Sequence, residues 1–120
     1  VIRLTAMLTR NPSLTHDEFL AHWRTVHGPK ILAVPGIERW LVRYEQHERL
    51  DAEAAGVPWT GTEGYDGVTM QWFRSLADFY AMISDAEYRR IVGPDERLLL
   101  DHEATIALLT EEPSVVIDGE

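Results

Sequence analysis

Two hydrophobic periods alternate along this chain in one order, and that order restricts the fold more than any single residue does. Val1 to Thr9 reads VIRLTAMLT, with Ile2, Leu4, Ala6 and Leu8 alternating against Val1, Arg3, Thr5, Met7 and Thr9. A period of two predicts a strand with an aliphatic face and a more polar one. Asn11-Pro12-Ser13 breaks that pattern. Thr15 then supplies a helix cap, and Glu18 completes a capping box, with Leu14 and Phe19 placed as a hydrophobic staple. Phe19, Leu20, Trp23, Val26 and His27 follow at helical spacing. Gly28-Pro29 predicts a helix end near His27 and a fresh turn over Lys30 to Val34, closed by Pro35-Gly36.

Ile37 to His47 reads as a second strand, with Trp40, Val42 and Tyr44 on one face and Arg39, Arg43 and Glu45 on the other. Glu48 to Gly64 has no period; connections of that length in a small domain are usually functional or mobile. Tyr65 to Phe73 is a third strand, with Val68, Met70 and Trp72 sharing a face. Ser75 with Asp78 opens a second helix, and Ser84 with Glu87 predicts a second capping box and a break there. Gly93-Pro94 predicts its end, leaving Asp95 to Leu100 as a short helical turn or coil. His102 to Leu109 is a fourth strand, and Ser114 to Ile117, after Pro113, is placed for a short edge strand. Strand, helix, strand, strand, helix, strand is the split βαβ plan: an α+β fold with one four-stranded antiparallel sheet and two helices on one face. The chain reads as a single domain over 1–120, with a long loop at 48–64 and a tail at 111–120.

That plan leaves one sheet face without helices. The expected side chains there are Arg3, Thr5, Met7, Leu41, Thr69 and Gln71, with Thr105 or Ala107. A mixed face of this size predicts a partner, and a second copy of the chain is the commonest one. The tail is placed to cross to that copy and protect a sheet edge.

Composition removes whole classes of function. The 120 residues carry 20 acidic and 11 basic side chains, a formal charge of -9. Nucleic acid and anionic membrane are therefore not expected partners, since phosphate affinity comes from clustered Lys and Arg. With no cysteine, there is no thiolate catalysis, disulfide, zinc ribbon or cysteine-held iron–sulfur cluster. That composition fits a reducing, cytoplasmic setting. No apolar run reaches the length of a membrane span, and the alternating start does not read as a signal peptide. Gly-x-Gly-x-x-Gly, Walker, Gly-x-Ser-x-Gly and His-Glu-x-x-His motifs are all absent.

The segment Leu14 to Pro29, LTHDEFLAHWRTVHGP, resembles the EthD family of dimeric α/β-barrel proteins: a Phe, then a Trp, then a Val-His-small-Pro ending to the first helix. Asp95 to Asp101 is similar to that family's acidic turn before the last strand, and Glu111-Glu112 to its acidic close. The resemblance covers most of the chain. It implies a ferredoxin-like fold and a homodimer whose sheets face each other as a barrel. Members of the wider superfamily include cofactor-free monooxygenases, polyketide cyclases, muconolactone isomerases and haem-degrading enzymes, so fold alone does not set the chemistry. The histidine of the Val-His-small-Pro motif carries over to His27.

His27 is the leading general base, because imidazole titrates near working pH, at ~6.5 when unperturbed. The competing reading is structural, a helix-end histidine donating to a terminal carbonyl. His22 lies five residues earlier, about 140° away on an ideal α-helix, so the two are not expected to act together or share a metal; His22 is instead a candidate pocket residue. Tyr44 and Tyr65 are the other proton-capable candidates, with strand packing as the alternative reading. Trp23, Trp40 and Trp72 are candidate pocket wall, otherwise core. His16 is expected in solvent, and Trp59 is a lid residue or a dimer contact. No metal ligand set is evident. The expected activity is a cofactor-independent enzyme that moves protons on a hydrophobic aromatic or polyketide-like small molecule, by cyclisation, dehydration or oxygenation. The rival reading is a non-catalytic binding or accessory protein of an oxidative pathway. A third is haem binding with His27 as the axial ligand.

Overall fold

The inward sides of the first three strands pack against the apolar stripes of five short helices in two core clusters, as a computed structural model of the chain shows, while the last strand stays largely exposed. The structure describes residues 1–50 and 64–119. Strand β1 (Ile2–Leu8) leads to helix α1 (His16–His22), which continues through a π-helical turn (Trp23–His27) into α2 (Gly28–Leu32). A short 3-10 turn precedes β2 (Leu41–Glu48); β3 (Gly67–Phe73), α3 (Leu76–Ser84), α4 (Ala86–Ile91), α5 (Gly93–Leu99) and β4 (Ile106–Thr110) follow. The sheet order is β2-β3-β1-β4, and every pairing is antiparallel. This is the ferredoxin-like α+β plan expected from the strand and helix order.

The barrel is not. The sheet is open: β2 and β4 are its two edges and each pairs on one side only. Four strands are too few to curl into a closed cylinder; small barrels need about eight.

Local signals acted as expected where the chemistry is local. The Thr15–Glu18 capping box forms in both directions. Ser75 caps α3 through the Asp78 amide. The break near Ser84 also forms, but Asp85 is the cap there, accepting from the Tyr88 amide, so the predicted Ser84–Glu87 box is replaced. Gly28-Pro29 does not end its helix, whereas α4 does stop at Ile91, just before Gly93-Pro94, which opens α5 at once. Gly28 has ordinary right-handed helical angles, and Pro29 and Pro94 occupy first-turn positions, where a missing N–H costs nothing. The last strand is shorter than expected, and residues 114–117 form no strand. Most of the 48–64 connection, with Trp59, lies outside the described residues.

The faces of the sheet are distributed differently from the expectation. Ile2, Leu4, Ala6 and Leu8 point to the helices, as predicted. On β3, however, the buried set is Gly67, Thr69, Gln71 and Phe73, while Val68, Met70 and Trp72 lie on the open side. Leu41 is in the core rather than on that side. Cross-strand register places Met7 beside Val68 and Ile106, and Thr5 beside Met70 and Leu108. The open face is thus more apolar than predicted, with Ile106 and Leu108 54% and 65% exposed.

Candidate functional site

The site begins with one irregular turn of helix. In α1 the backbone bonds run at normal helical spacing, but from Trp23 to His27 the turn widens, and the Gly28 amide donates to the Trp23 carbonyl five residues back. That carbonyl also accepts from Nε2 of Gln46 on β2, at 2.9 Å. A π-helical turn brings residues five apart onto one side, which an α-helix does not. His22 and His27 therefore converge, against the sequence expectation. His22 Nε2 lies 2.6 Å from Oδ1 of Asp95, and His27 Nδ1 lies 2.8 Å from its Oδ2.

Asp95 is the residue the sequence reading missed. It sits in the first turn of α5, just after Gly93-Pro94, where an acidic side chain ordinarily reads as a complement to the helix dipole. Here it is 3% exposed and faces α1 instead. Burial alone would raise its pKa, but the hydrogen bonds and charge of His22 and His27 outweigh this and hold the carboxyl below its ordinary value. An ionised Asp95 accepts the Nδ1–H of His27 and so fixes the imidazole tautomer, leaving Nε2 as the ring nitrogen with a free lone pair. That is the arrangement of a general base oriented by a carboxylate.

His27 lines a cavity of about 620 Å³ between the sheet and the helices. Its walls include Leu4 and Ala6 of β1, Met82 of α3 and Leu99 of α5. Polar groups break this apolar lining at a few points. Gln46 donates to the Tyr44 hydroxyl oxygen at 3.2 Å, which leaves the phenolic O–H to donate elsewhere, and Tyr44 faces the cavity. Burial raises the pKa of Tyr44, so it stays a proton donor. Tyr88 is raised further, by burial and then by the charge of Glu96, to which its hydroxyl donates at 3.2 Å. Among the described residues, Oε1 of Gln71 is a buried side-chain atom in the cavity wall with no hydrogen-bond partner, while Nε1 of Trp23 is directed at the Tyr44 hydroxyl without reaching full hydrogen-bond geometry. A buried acceptor such as Oε1 of Gln71 is costly unless something pairs with it.

The structure brings together only part of the predicted set. His27, Tyr44 and Trp23 line the same cavity, and His22 joins through Asp95. The Trp23 ring reaches this position because β3 has glycine at position 67: a Cβ there would lie 2.8 Å from the ring. Trp72 is on the opposite sheet face, with the Arg3 and Arg43 guanidiniums over it at 5.9 and 5.6 Å. Trp40 packs against the edge of the core beneath Arg39. Tyr65 stands outside the cavity wall, and its carbonyl accepts from Arg49. His16 is not in solvent as expected; its Nδ1 lies 2.7 Å from the buried Asp66 carboxylate. His102 lines the cavity mouth. No group of three or more metal-ligating side chains occurs among the described residues. No helix there is long and apolar enough to cross a membrane.

The EthD domain family matches residues 11–103. Among solved structures, the chain is similar to an ethyl tert-butyl ether D (EthD) family protein from Bacillus halodurans C-125, at 12% identity and a TM-score of 0.66, covering 93% of this chain and 98% of that one. A dimeric protein of unknown function with a ferredoxin-like fold, from Bacteroides fragilis, aligns at 12% identity and TM-score 0.64 over 92% and 95% of the two chains. SnoaB, a cofactor-independent oxygenase from Streptomyces nogalater, aligns at 11% identity and TM-score 0.62 over 98% and 97%. No curated protein matches the chain.

Proposed function

The chain belongs to the EthD family, and from that premise we propose that it is a cofactor-independent enzyme in which His27 moves a proton on a hydrophobic, aromatic or polyketide-like molecule. The observation that carries this reading is the His27–Asp95 contact opening on the cavity. Asp95 holds His27 with Nε2 toward the ligand and stabilises the imidazolium formed when Nε2 takes a proton from an activated carbon or a phenol. His22, on the second carboxylate oxygen, keeps Asp95 in place. Tyr44 donates to the oxygen on which negative charge develops, and the Trp23 N–H, directed at the Tyr44 hydroxyl, supports it from behind. Cyclisation, dehydration and oxygenation all begin with such a proton removal. The precedent in SnoaB shows that one protein of this fold oxidises without a cofactor.

Dimerisation is part of the same reading. Relatives of this fold include dimeric proteins, and the open sheet face with Met70, Ile106 and Leu108 suits contact with a second copy.

The test follows deuterium entering β-tetralone, an aromatic ketone with acidic C–H bonds, in heavy water. Exchange should run faster with the protein than in buffer, and His27→Gln should remove about 100-fold of that acceleration with the circular dichroism spectrum unchanged. Acceleration that survives in His27→Gln would remove His27 from the mechanism. Binding with no acceleration in the native protein would instead favour the rival, a carrier or accessory protein that uses the same cavity without a proton step.

A further inference from the structure

The mouth of the cavity carries a charge pattern at odds with the rest of the chain. The protein has a formal charge of -9, and several of its arginines are committed to acidic partners: Arg10 to Asp66, Arg24 to Glu48, Arg43 to Glu45 and Arg90 to Glu87. Arg89 on α4 and Arg97 on α5 differ. Both line the cavity. Among the described residues neither forms an ion pair; Arg89 uses only Nε, donating to the Ile83 carbonyl at 3.0 Å, so its terminal nitrogens are left over. His102 and Thr105 stand at the same opening. The acidic group there, Glu96, is half-buried and accepts from the Tyr88 hydroxyl. The mouth therefore presents two fixed cations against one engaged carboxylate, above an interior that is mostly apolar.

We infer that the ligand of this cavity is an amphipathic acid, whose carboxylate or comparable anionic group is held at the rim by Arg89 and Arg97 while its apolar body extends toward His27. The inference rests on the proposed use of the cavity and narrows it to one ligand class. Guanidiniums suit this task because they stay charged and offer a planar fork of donors to an anionic group. Two of them on neighbouring helices fix one end of the ligand, so that its other end meets Nε2 of His27, the Tyr44 hydroxyl and the unpaired Gln71 carbonyl. The remaining net charge of the chain does not cancel this, because exposed charges farther than about 8 Å away are screened at physiological salt.

Two probes separate the anionic end from the body. Anilinonaphthalene sulfonate and phenylnaphthylamine share the same aromatic frame, and only the first carries an anionic group. In fluorescence titrations, the double substitution Arg89→Gln with Arg97→Gln should weaken the sulfonate probe by about tenfold and leave the neutral probe unchanged. Raising the salt concentration should likewise weaken only the sulfonate probe. Ala107→Trp, which fills the mouth from an exposed position on β4, should abolish binding of both. Arg3→Gln with Arg43→Gln, on the opposite sheet face, should change neither. If the arginine pair at the rim can be replaced with no effect on the sulfonate probe, or with equal loss of both probes, the inference is overturned while the cavity remains a binding site. If Ala107→Trp leaves both probes bound, or neither probe binds the native protein, the use of the cavity falls as well.

Discussion

Asp66 and Asp95 are both buried, and both touch a histidine, yet they are held by different kinds of partner. Asp66 is 1% exposed and receives the Arg10 amide at 2.9 Å, the Arg10 guanidinium at 2.8 Å and His16 at 2.7 Å, with Arg49 at 3.9 Å. Among the described residues, Asp95 meets only the two imidazoles. The first cluster is anchored by permanent cations and ties the end of β1 to the start of β3; His16 there lies outside the wall of the cavity that His27 lines. The second is made wholly of groups that exchange protons, and one of them faces a cavity. Similar residues thus serve as a clasp in one place and as a proton site in the other. What separates them is the titratability of the partner and access to space, not the presence of a His–Asp pair.

That contrast can be broken by substitution. Asp95→Asn should have the largest effect, on function: the amide no longer enforces the Nδ1–H tautomer, and exchange of β-tetralone should fall about 100-fold or more at modest cost in stability. Asp66→Asn should do the reverse. It leaves Arg10 and His16 without their buried counter-charge and should cost about 3 kcal/mol in urea unfolding, with exchange by the folded protein unchanged. If both variants lose stability alike and activity alike, the two clusters are not different in kind.

Acid should sharpen the comparison. Both carboxyls are held below their ordinary value of 3.8. A depressed folded-state pKa contributes stability that is complete above the unfolded value and is lost as pH falls through the folded one. Unfolding free energy should therefore decline below about pH 4, and the decline should be shallower in Asp66→Asn than in the native chain. The smallest effect belongs to Gln46→Leu. Losing its bonds to the Trp23 carbonyl and the Tyr44 hydroxyl should cost about 1 kcal/mol. It should also reduce exchange partially, because the π-helical turn loses its support from β2. An unchanged exchange rate would detach Gln46 from the site.

The sequence revealed what is decided by neighbours along the chain. The Thr15–Glu18 box and the inward set Ile2, Leu4, Ala6 and Leu8 were legible, because each depends on a few adjacent residues; Gly28-Pro29 predicts His27 at a helix end, but the helix runs on through it to Leu32. β3 shows where this stops. Its alternation announced a strand but not its orientation, and the more apolar set, Val68, Met70 and Trp72, faces outward. The inward Thr69 and Gln71 are needed where they are because they wall a cavity, which a rule that sends apolar residues inward does not describe. The pairing of His22 with His27 was hidden for a related reason. Helical spacing assumes a regular turn, and the wider turn here is shared with Gln46, a residue of another element. Asp95 reads only as part of an acidic turn before the last strand, because its partners lie far back in the chain, at positions 22 and 27.

The π-helical turn also bears on how such a site can arise and disappear. It accommodates one residue more than an α-helical turn does. Deleting a single residue from the exposed side of that turn, such as Thr25, would let the helix close regularly and leave the two imidazoles four residues apart, about 40° around an ideal α-helix and still on one face. In lineage terms, the extra residue and the widened turn compensate each other: the same extra residue in a regular helix would carry the imidazoles about 140° apart. A tally of substitutions between relatives records neither change, because both concern chain length and helix winding rather than side chains.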